Sequence, residues 1–325
     1  MLNPFDKVKV PAKTDDTIRI MLHRLPKING NTPKDREIRR LMEYYQRIEK
    51  YYDFVLSFPK IDELHPFYVE SINILIDINK LKVDLYITKK TSLVSMRILK
   101  KYMEEIRRSD SRESNKLMRE AFGRVSSLLR KYRKYIDEII DVTVQLKKMK
   151  AIDPTLPTII VSGPPNVGKS TLVSRLSTAK PEVANYPFTT KEIHVGHIII
   201  NDNYVQVIDT PGILDRPNEK RNKIEAKAIN ALKNLDGIIV YMFDPSISSI
   251  LTVDEQIHLF EEILTFKKVV IPVINKIDDK DINNYDSIVK ELSRRSMKWY
   301  EISAESGLGL EELKKDLLNR LNISR

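Results

Sequence analysis

The residues best suited to chemistry lie in the run Gly163–Thr171, GPPNVGKST, which follows an apolar segment at Thr158–Ser162 with the pattern of a buried strand. The run is a complete G-x(4)-G-K-[ST] motif, and the LVSRLSTA after it has the pattern of a helix. The N–H groups of such a loop, with the helix N-terminus, form a nest for phosphates. We expect Lys169 to reach the β- and γ-phosphates and the Ser170 hydroxyl to ligate Mg²⁺. The spacing therefore predicts a nucleotide-phosphate site and leaves the base open.

An acid and a glycine follow a second predicted strand, in the run Asp209-Thr-Pro-Gly212. A carboxylate at the end of that strand fits a position linked to Mg²⁺ through water. Gly212 can bring its N–H against a γ-phosphate. The run thus predicts the part of the site that distinguishes a nucleoside triphosphate from a diphosphate.

The base is predicted from two later loops, each of which also follows a predicted strand. In Asn275-Lys276-Ile-Asp278 the Asp278 carboxylate can accept from guanine N1–H and N2–H₂, which adenine does not offer. A carboxylate buried without that partner carries a large penalty, which gives strong discrimination. Lys276 would pack its stem over the base, and the loop Ser303–Glu305 suits a backbone contact to guanine O6. The predicted nucleotide contacts are Gly163, Pro164, Asn166, Val167, Gly168, Lys169, Ser170, Thr171, Asn275, Lys276, Asp278, Ser303, Ala304 and Glu305.

The second half of the chain has the pattern that must position these loops. Strand patterns alternate with helical patterns, which predicts a mostly parallel sheet with helices on both faces. The predicted strands are 158–162, 204–209, 237–244, 268–274 and 299–302. We therefore expect a P-loop nucleotide-binding domain at 158–325, with 151–157 as a linker.

The first half reads as helices that form an antiparallel bundle at 1–150. Thr32 is a suitable N-cap and is followed by Pro33, and an apolar stripe runs through Ile38, Leu41, Met42, Tyr45, Ile48, Tyr52 and Val55. Further helical patterns cover 62–88, 92–108 and a long stretch that ends near Met149, after a short piece at 17–25.

Charge and composition divide the chain at the same place. Residues 1–150 contain 33 Lys/Arg and 21 Asp/Glu, a net of +12, whereas 151–325 contain 22 and 24, a net of −2. Such an asymmetry indicates a module that binds a polyanion, although a solvated helical surface is the alternative reading.

The absence of cysteine excludes disulfide scaffolds, Cys-based zinc sites and thiol catalysis. The start has no apolar stretch of a signal peptide, and no run is long and apolar enough to span a membrane, so we expect a cytoplasmic protein.

Taken together, GPPNVGKST, NYPFTTKE, DTPG, NKID and SAE resemble the five motifs of translation-factor-type GTPases, and KPEVANYPFTT is similar to the Obg-like branch. Longer segments resemble the nucleolar GTP-binding (Nog) family over nearly the whole chain. These segments are HPFYVESINILIDINK, REAFGRVSSLLRKYRKY, IDPTLPTIIVSGPPNVGKST and DTPGILDRPNEKRNKIEAKAI. The chain ends soon after its last predicted helix, so it resembles a short archaeal form of that family.

The resemblance implies a fold, a cofactor and further site residues. Members of the family pair an N-terminal helical bundle with an Obg-like GTPase domain. The resemblance therefore implies this fold here, with Mg²⁺ as the cofactor and GTP or GDP as the ligand. It also makes Thr190 the switch residue whose hydroxyl completes Mg²⁺ coordination, so the predicted metal ligands are Ser170, Thr190 and Asp209. The predicted catalytic residues are Lys169, Thr190, Gly212 and Asn166.

Hydrolysis is expected to be slow without help. Ile213 stands where Ras-like proteins place the glutamine that orients water. Asn166 occupies the place where related GTPases hold a K⁺ ion, and Arg216 and Arg221 are alternative sources of positive charge. The sequence leaves open which of these drives hydrolysis.

The function implied by the resemblance is a GTPase switch in assembly of the large ribosomal subunit, with the basic bundle docked on rRNA. The expected partners are the pre-ribosomal large subunit with its rRNA, ribosomal proteins or assembly factors, with no membrane; the free protein is expected to be a monomer. Two alternatives stay open: a ribonucleoprotein scaffold that binds nucleotide with negligible hydrolysis, and a GTPase associated with translation or tRNA.

Overall fold

The structure, a computed structural model, describes residues 3–149, 152–185, 192–201, 203–209, 229 and 232–323. Contacts within the chain divide it into two units. The helical unit comprises Pro4–Leu64 and Leu75–Lys147, and the sheet unit comprises Met1–Asn3, His65–Ile74 and Lys148–Arg325. Residues 65–74 group with the sheet unit, which the proposed boundary at residue 150 does not anticipate.

The helices of the first half form where capping residues and apolar periodicity allow them. Thr32 accepts a hydrogen bond from the Asp35 N–H and starts the second helix, with Pro33 at its first position, as the sequence predicts. The helices are α1 (Thr14–Arg24), α2 (Pro33–Ser57), α3 (Pro66–Leu75), α4 (Ile78–Arg108) and α5 (Ser114–Lys147). The predicted helical bundle is confirmed.

The break predicted between residues 88 and 92 is wrong, because α4 runs through it. The hydroxyls on either side of the predicted break bond back into the helix, from Thr88 Oγ1 to the Asp84 carbonyl at 2.8 Å and from Ser92 Oγ to the Thr88 carbonyl at 2.9 Å. The chain breaks instead before Asp77, whose carboxylate accepts from two N–H groups at the start of α4. Local capping therefore decides the boundary.

The buried face of α2 lies beside the predicted one. Tyr44 and Tyr51 are buried with Leu41 and Ile48, whereas the sequence pattern predicts a buried stripe that contains their neighbours Tyr45 and Tyr52. Both choices have helical spacing, so periodicity cannot separate them. Hydrogen bonds favour the observed face, because the Tyr51 hydroxyl bonds to the Thr17 hydroxyl at 2.7 Å and to a backbone carbonyl at 2.9 Å.

Side-chain pairs show how α4 and α5 run. Tyr102 bonds to Glu120 at 3.4 Å, and Lys80, far toward the start of α4, pairs with Glu138 near the end of α5. The two helices are therefore antiparallel, as their short connection requires.

The described part of the sheet unit contains a seven-stranded mixed sheet in the order β2-β3-β4-β1-β5-β6-β7. The pairings β4–β1, β1–β5, β5–β6 and β6–β7 are parallel, and the pairings β2–β3 and β3–β4 are antiparallel. The sequence reading did not include β2 and β3. The strands are β1 (Thr158–Ser162), β2 (Glu182–Asn185), β3 (Glu192–Ile200), β4 (Asn203–Asp209), β5 (Gly237–Phe243), β6 (Val270–Ile274) and β7 (Tyr300–Glu301).

Parallel pairing positions the site. The carboxyl ends of β1, β4, β5, β6 and β7 reach one edge of the sheet, where ligands bind in α/β folds of this kind. The described helices of this unit are α6 (Lys169–Leu176), α7 (Val253–Leu264), α8 (Ile282–Arg294) and α9 (Leu310–Arg320). The predicted fold class, a helical bundle followed by a mostly parallel α/β domain, is confirmed. Within the described residues, no helix combines the length and apolar character that crossing a bilayer requires.

Candidate nucleotide-binding site

The phosphate loop joins β1 to α6 through two glycines with special geometry. Gly163 has φ +143°, and a Cβ there would lie 2.5 Å from the Met242 carbonyl oxygen. Gly168 has φ +99° and immediately precedes α6, where it acts as the N-cap. Because neither position accepts a side chain without strain, bare backbone forms this loop, as a phosphate nest requires.

Lys169 is the charged residue at the centre of the loop. Its side chain is buried, and its ammonium donates to the carbonyls of Gly163 at 3.0 Å and Pro164 at 2.7 Å. These bonds hold the charge inside the loop that the sequence assigns to phosphates. A phosphate oxygen is a stronger acceptor for an ammonium than a neutral carbonyl, so the group is already placed for one.

The two described metal-ligand candidates, Ser170 of α6 and Asp209 of β4, form a direct hydrogen bond. Asp209 ends β4, in register with Val161 of the parallel strand β1, and its side chain is fully buried. The Ser170 hydroxyl donates to Asp209 Oδ2 at 2.5 Å, and His194 Nδ1 of β3 lies 3.5 Å from the same oxygen. A buried carboxylate beside a hydroxyl at the phosphate loop fits the oxygen ligand set of Mg²⁺, which the nucleotide's phosphates and water complete.

Asn275 connects the phosphate loop to both base-recognition loops. Its side chain is almost fully buried; Nδ2 donates to the Val167 carbonyl at 2.6 Å and Oδ1 accepts from the Ala304 N–H at 2.9 Å. The residue therefore holds segments more than 100 positions apart in the sequence in one fixed relation.

Lys276 forms an ion pair with Asp244, a residue for which the sequence motifs predict no role. Its Nζ pairs with Asp244 Oδ2 at 2.6 Å, and the other carboxylate oxygen of Asp244 accepts from the N–H of Ser246 at 3.0 Å and from its hydroxyl. Asp244 follows β5 directly, and this position at the carboxyl end of a strand is the sequence signal that could have identified it as a site residue. The pair fixes the direction of the Lys276 stem. Asp278 is exposed two residues on, free to meet a base.

A cavity of about 340 Å³ brings these loops together. Its lining mixes residues from the phosphate loop and α6 with residues from both base-recognition loops. They are Asn166, Gly168, Thr171, Asn275, Lys276, Asp278, Asp279, Ser303, Ala304 and Glu305. Of the other predicted contacts, Gly163, Pro164, Val167 and Lys169 are buried in the loop beneath, and Ser170 is exposed beside it.

Several predicted residues cannot be placed. Thr190 and Gly212 lie outside the described residues, as do Ile213, Arg216 and Arg221. A contact that the sequence reading missed is from Arg175 of α6, whose guanidinium donates to the Glu305 carbonyl. An arginine on the exposed side of a helix carries no sequence signal for that role.

Comparison with known proteins gives two matching family models. Residues 5–153 match a model described as the NOG1 N-terminal helical domain, and residues 158–276 match one described as a 50S ribosome-binding GTPase. The junction between the two matches falls at the predicted linker, 151–157.

Three relatives span different shares of the chain. A nucleolar GTP-binding protein 1 of Drosophila melanogaster is 36% identical over 84% of this chain and 44% of its own length. An uncharacterized protein of Methanocaldococcus jannaschii is 34% identical over 85% of this chain and 81% of its own length. A crystal structure described as a nucleolar GTP-binding protein 1 from Plasmodium falciparum is 37% identical, with a TM-score of 0.47, over 53% of this chain and 89% of that one. The chain thus spans less than half of the Drosophila protein.

Proposed function

The chain belongs to the nucleolar GTP-binding protein family, and we propose that it is a Mg²⁺-dependent GTPase that acts as a switch in assembly of the large ribosomal subunit. In this proposal the sheet unit binds and hydrolyses GTP, and the basic helical unit docks on rRNA. The observation that carries it is the cavity in which the phosphate loop meets the two base-recognition loops.

Guanine specificity rests on Asp278, with Lys276 and Ala304 beside it. The carboxylate accepts two hydrogen bonds from the N1–H and N2–H₂ edge, which adenine does not offer; because Asp278 is exposed in the chain alone, the discrimination arises when the bound base displaces water from it. The Asp244 pair holds Lys276 so that its stem covers the base, and the Asn275 bond holds the Ala304 loop against the O6 side.

The phosphate chemistry rests on charge and position. Lys169 and the backbone nest bind the β- and γ-phosphates, and Ser170 with Asp209 would hold Mg²⁺, which neutralises phosphate charge when bound. We assign the remaining Mg²⁺ contact to Thr190 and the γ-phosphate contact to Gly212 on the family resemblance.

Intrinsic hydrolysis is proposed to be slow because Ile213 cannot orient a water molecule. Asn166, an exposed residue with φ +60° that lines the cavity, is our candidate for holding a K⁺ ion that supplies positive charge. GTP turnover should therefore be faster in K⁺ than in Na⁺, and Asn166→Ala should remove the difference. Equal rates in the two salts, alone and with ribosomal particles, would contradict the K⁺ assignment and leave Arg216 or Arg221 as the source of charge.

The rRNA role is supported by the net charge of +12 on residues 1–150 and by the ribosome-binding description of the matched GTPase family. We propose that the partners are the pre-ribosomal large subunit with its rRNA, and ribosomal proteins or assembly factors, in the cytoplasm. The free protein is proposed to be a monomer.

Single-turnover GTP hydrolysis with and without large-subunit precursor particles tests the proposal. We expect slow hydrolysis alone and faster hydrolysis with the particles. Tight GTP binding with no hydrolysis in either condition would favour the scaffold alternative. Crosslinking followed by sequencing of the bound RNA is the second measurement, and recovery of tRNA instead of large-subunit rRNA would favour the translation-associated alternative.

A further inference from the structure

Gly123 lies in the interior of α5, where the described fold gives no reason for a glycine. Glycine is less favourable than alanine inside a helix because its backbone loses more freedom on folding. A Cβ at Gly123 would meet nothing within 4 Å among the described residues, and the position is exposed. Neither a close internal contact nor an unusual backbone therefore accounts for it, and the bare backbone leaves room for a close approach from outside.

The helix face around Gly123 is strongly positive. Residues 114–136 contain seven Lys/Arg and one Glu on all faces together; the acid, Glu120, lies three residues before Gly123 and accepts a hydrogen bond from the Tyr102 hydroxyl. Arg119 lies one turn before Gly123, and Lys116 and Arg130 lie two turns to either side, so all share its face. All three cations are exposed, and no ion pair with a described residue engages them.

Some other basic residues of the helical unit are already paired with acids. Arg133 pairs with Asp15 at 2.6 Å, and Arg36 and Arg40 both pair with Glu37. Lys116, Arg119 and Arg130, on the face of α5 that contains Gly123, are therefore among the cations that remain available to a partner.

A groove of about 410 Å³ adjoins this face. Phe122, whose ring centre lies 5.0 Å from that of Tyr44, lines it together with Met118 and the half-exposed Leu22. Two guanidinium groups, of Arg40 and Arg119, are also part of the lining. An apolar and aromatic surface bordered by arginines is suited to an unstacked nucleobase whose phosphates lie close by.

We propose that an unpaired stretch of RNA crosses α5 at Gly123, with its phosphates between Arg119 and Arg130 and one unstacked base in the groove beside Phe122. This rests on the proposed rRNA docking and specifies where and how it occurs. The missing side chain at Gly123 lets the sugar–phosphate backbone approach the helix closely enough for both arginines to reach it.

The test uses the full chain and an RNA hairpin with one bulged 2-aminopurine nucleotide, beside the same hairpin fully paired. Gly123→Leu should weaken binding of the bulged hairpin about fivefold or more while leaving the melting temperature unchanged or higher. Gln46→Leu is the control for an exposed leucine, because it places the same apolar side chain at an exposed position of α2. It should leave the affinity unchanged. The bulged hairpin should bind more tightly than the paired one, with a change in 2-aminopurine fluorescence.

Wild-type affinity for Gly123→Leu, or equal affinity for the two hairpins without a fluorescence change, would overturn this inference while rRNA docking by another face stands. Displacement of the hairpin by polyglutamate of equal charge would also overturn it, in favour of an acidic protein partner. Failure of the wild-type chain to bind either hairpin or large-subunit rRNA would instead reject the proposed rRNA docking itself.

Discussion

Asn275 offers the sharpest test of how the nucleotide site is held together. Asn275→Ala removes two buried hydrogen bonds and leaves the Val167 carbonyl and the Ala304 N–H without these partners. An unsatisfied buried group costs about 1–3 kcal/mol, so the pair would cost about 2–6 kcal/mol in a dry site. The cavity beside Asn275 admits water to both groups, so we expect the lower part of that range, about 2–3 kcal/mol.

Asn275→Asp makes the prediction more specific. Its carboxylate can still accept from the Ala304 N–H, but it replaces the donor 2.6 Å from the Val167 carbonyl by a second acceptor. Repulsion between the two oxygens should make this nearly isosteric change at least as damaging as alanine. Nucleotide affinity should fall with stability, by about 10–100-fold, because binding must then reorder the loops.

The assay combines urea unfolding with titration of a fluorescent GDP analogue. Trp299 is the chain's one tryptophan and lies in the sheet unit, so its fluorescence reports the unfolding of that unit. Asn283→Ala, at an exposed position of α8, is the control and should change neither quantity. A loss below about 0.5 kcal/mol for Asn275→Ala, or a milder effect of Asn275→Asp, would refute the reasoning.

Three further substitutions test the base contact, an ion pair and a helix cap. Asp278→Asn should lower GDP affinity about 100-fold or more and improve binding of xanthosine diphosphate, whose C2 carbonyl accepts from the amide; competition titration measures both, and GDP affinity within threefold of wild type would contradict it. Hydrogen bonds from Arg294, and then from Arg295, lower the pKa of Glu291 to about 2. Because this folded-state pKa is below the ordinary value of 4.5, the stabilisation is complete above that pH and is lost as the pH falls toward 2. Glu291→Gln should therefore destabilise the chain by up to about 1 kcal/mol at pH 7, with the difference from wild type shrinking below pH 4.5; a pH-independent difference would exclude this cause. Thr252→Ala should cost about 1 kcal/mol, because it removes the capping box of α7, whereas Thr252→Ser should restore most of the loss in urea unfolding.

Much of the site was predictable from the sequence because its chemistry is local. A phosphate loop needs glycines and a lysine at fixed spacing, and each loop follows a strand whose apolar run is visible by itself. Parallel pairing then brings the ends of those strands to one edge, so the convergence of GPPNVGKST, NKID and SAE on one cavity followed from the pattern. Gly163 and Gly168 show the same logic, since both have positive φ angles that favour glycine, at the positions where the motif places one.

What sequence reasoning missed depends on partners distant in the chain. Asp244 and Arg175 stand at ordinary positions, and only the approach of Lys276 and of the Glu305 carbonyl shows what they contact. The roles of Asn275 are similar, because a base-recognition motif does not show that its asparagine also holds the phosphate loop.

The same distinction holds for the fold. The sequence by itself determined the class of each half, the cap of α2, the strands of the parallel sheet and the division of charge, because propensity, spacing and composition are properties of short segments. Tertiary contacts decided which of two helical faces of α2 is buried, the continuity of α4 and the pairing of β2 with β3. They also decided which cations stay free, because Arg133 has an acid within reach and Arg119 and Arg130 have none among the described residues. Apolar residues at helical spacing can occur on more than one face of a helix, and only packing against neighbouring elements decides which face is buried.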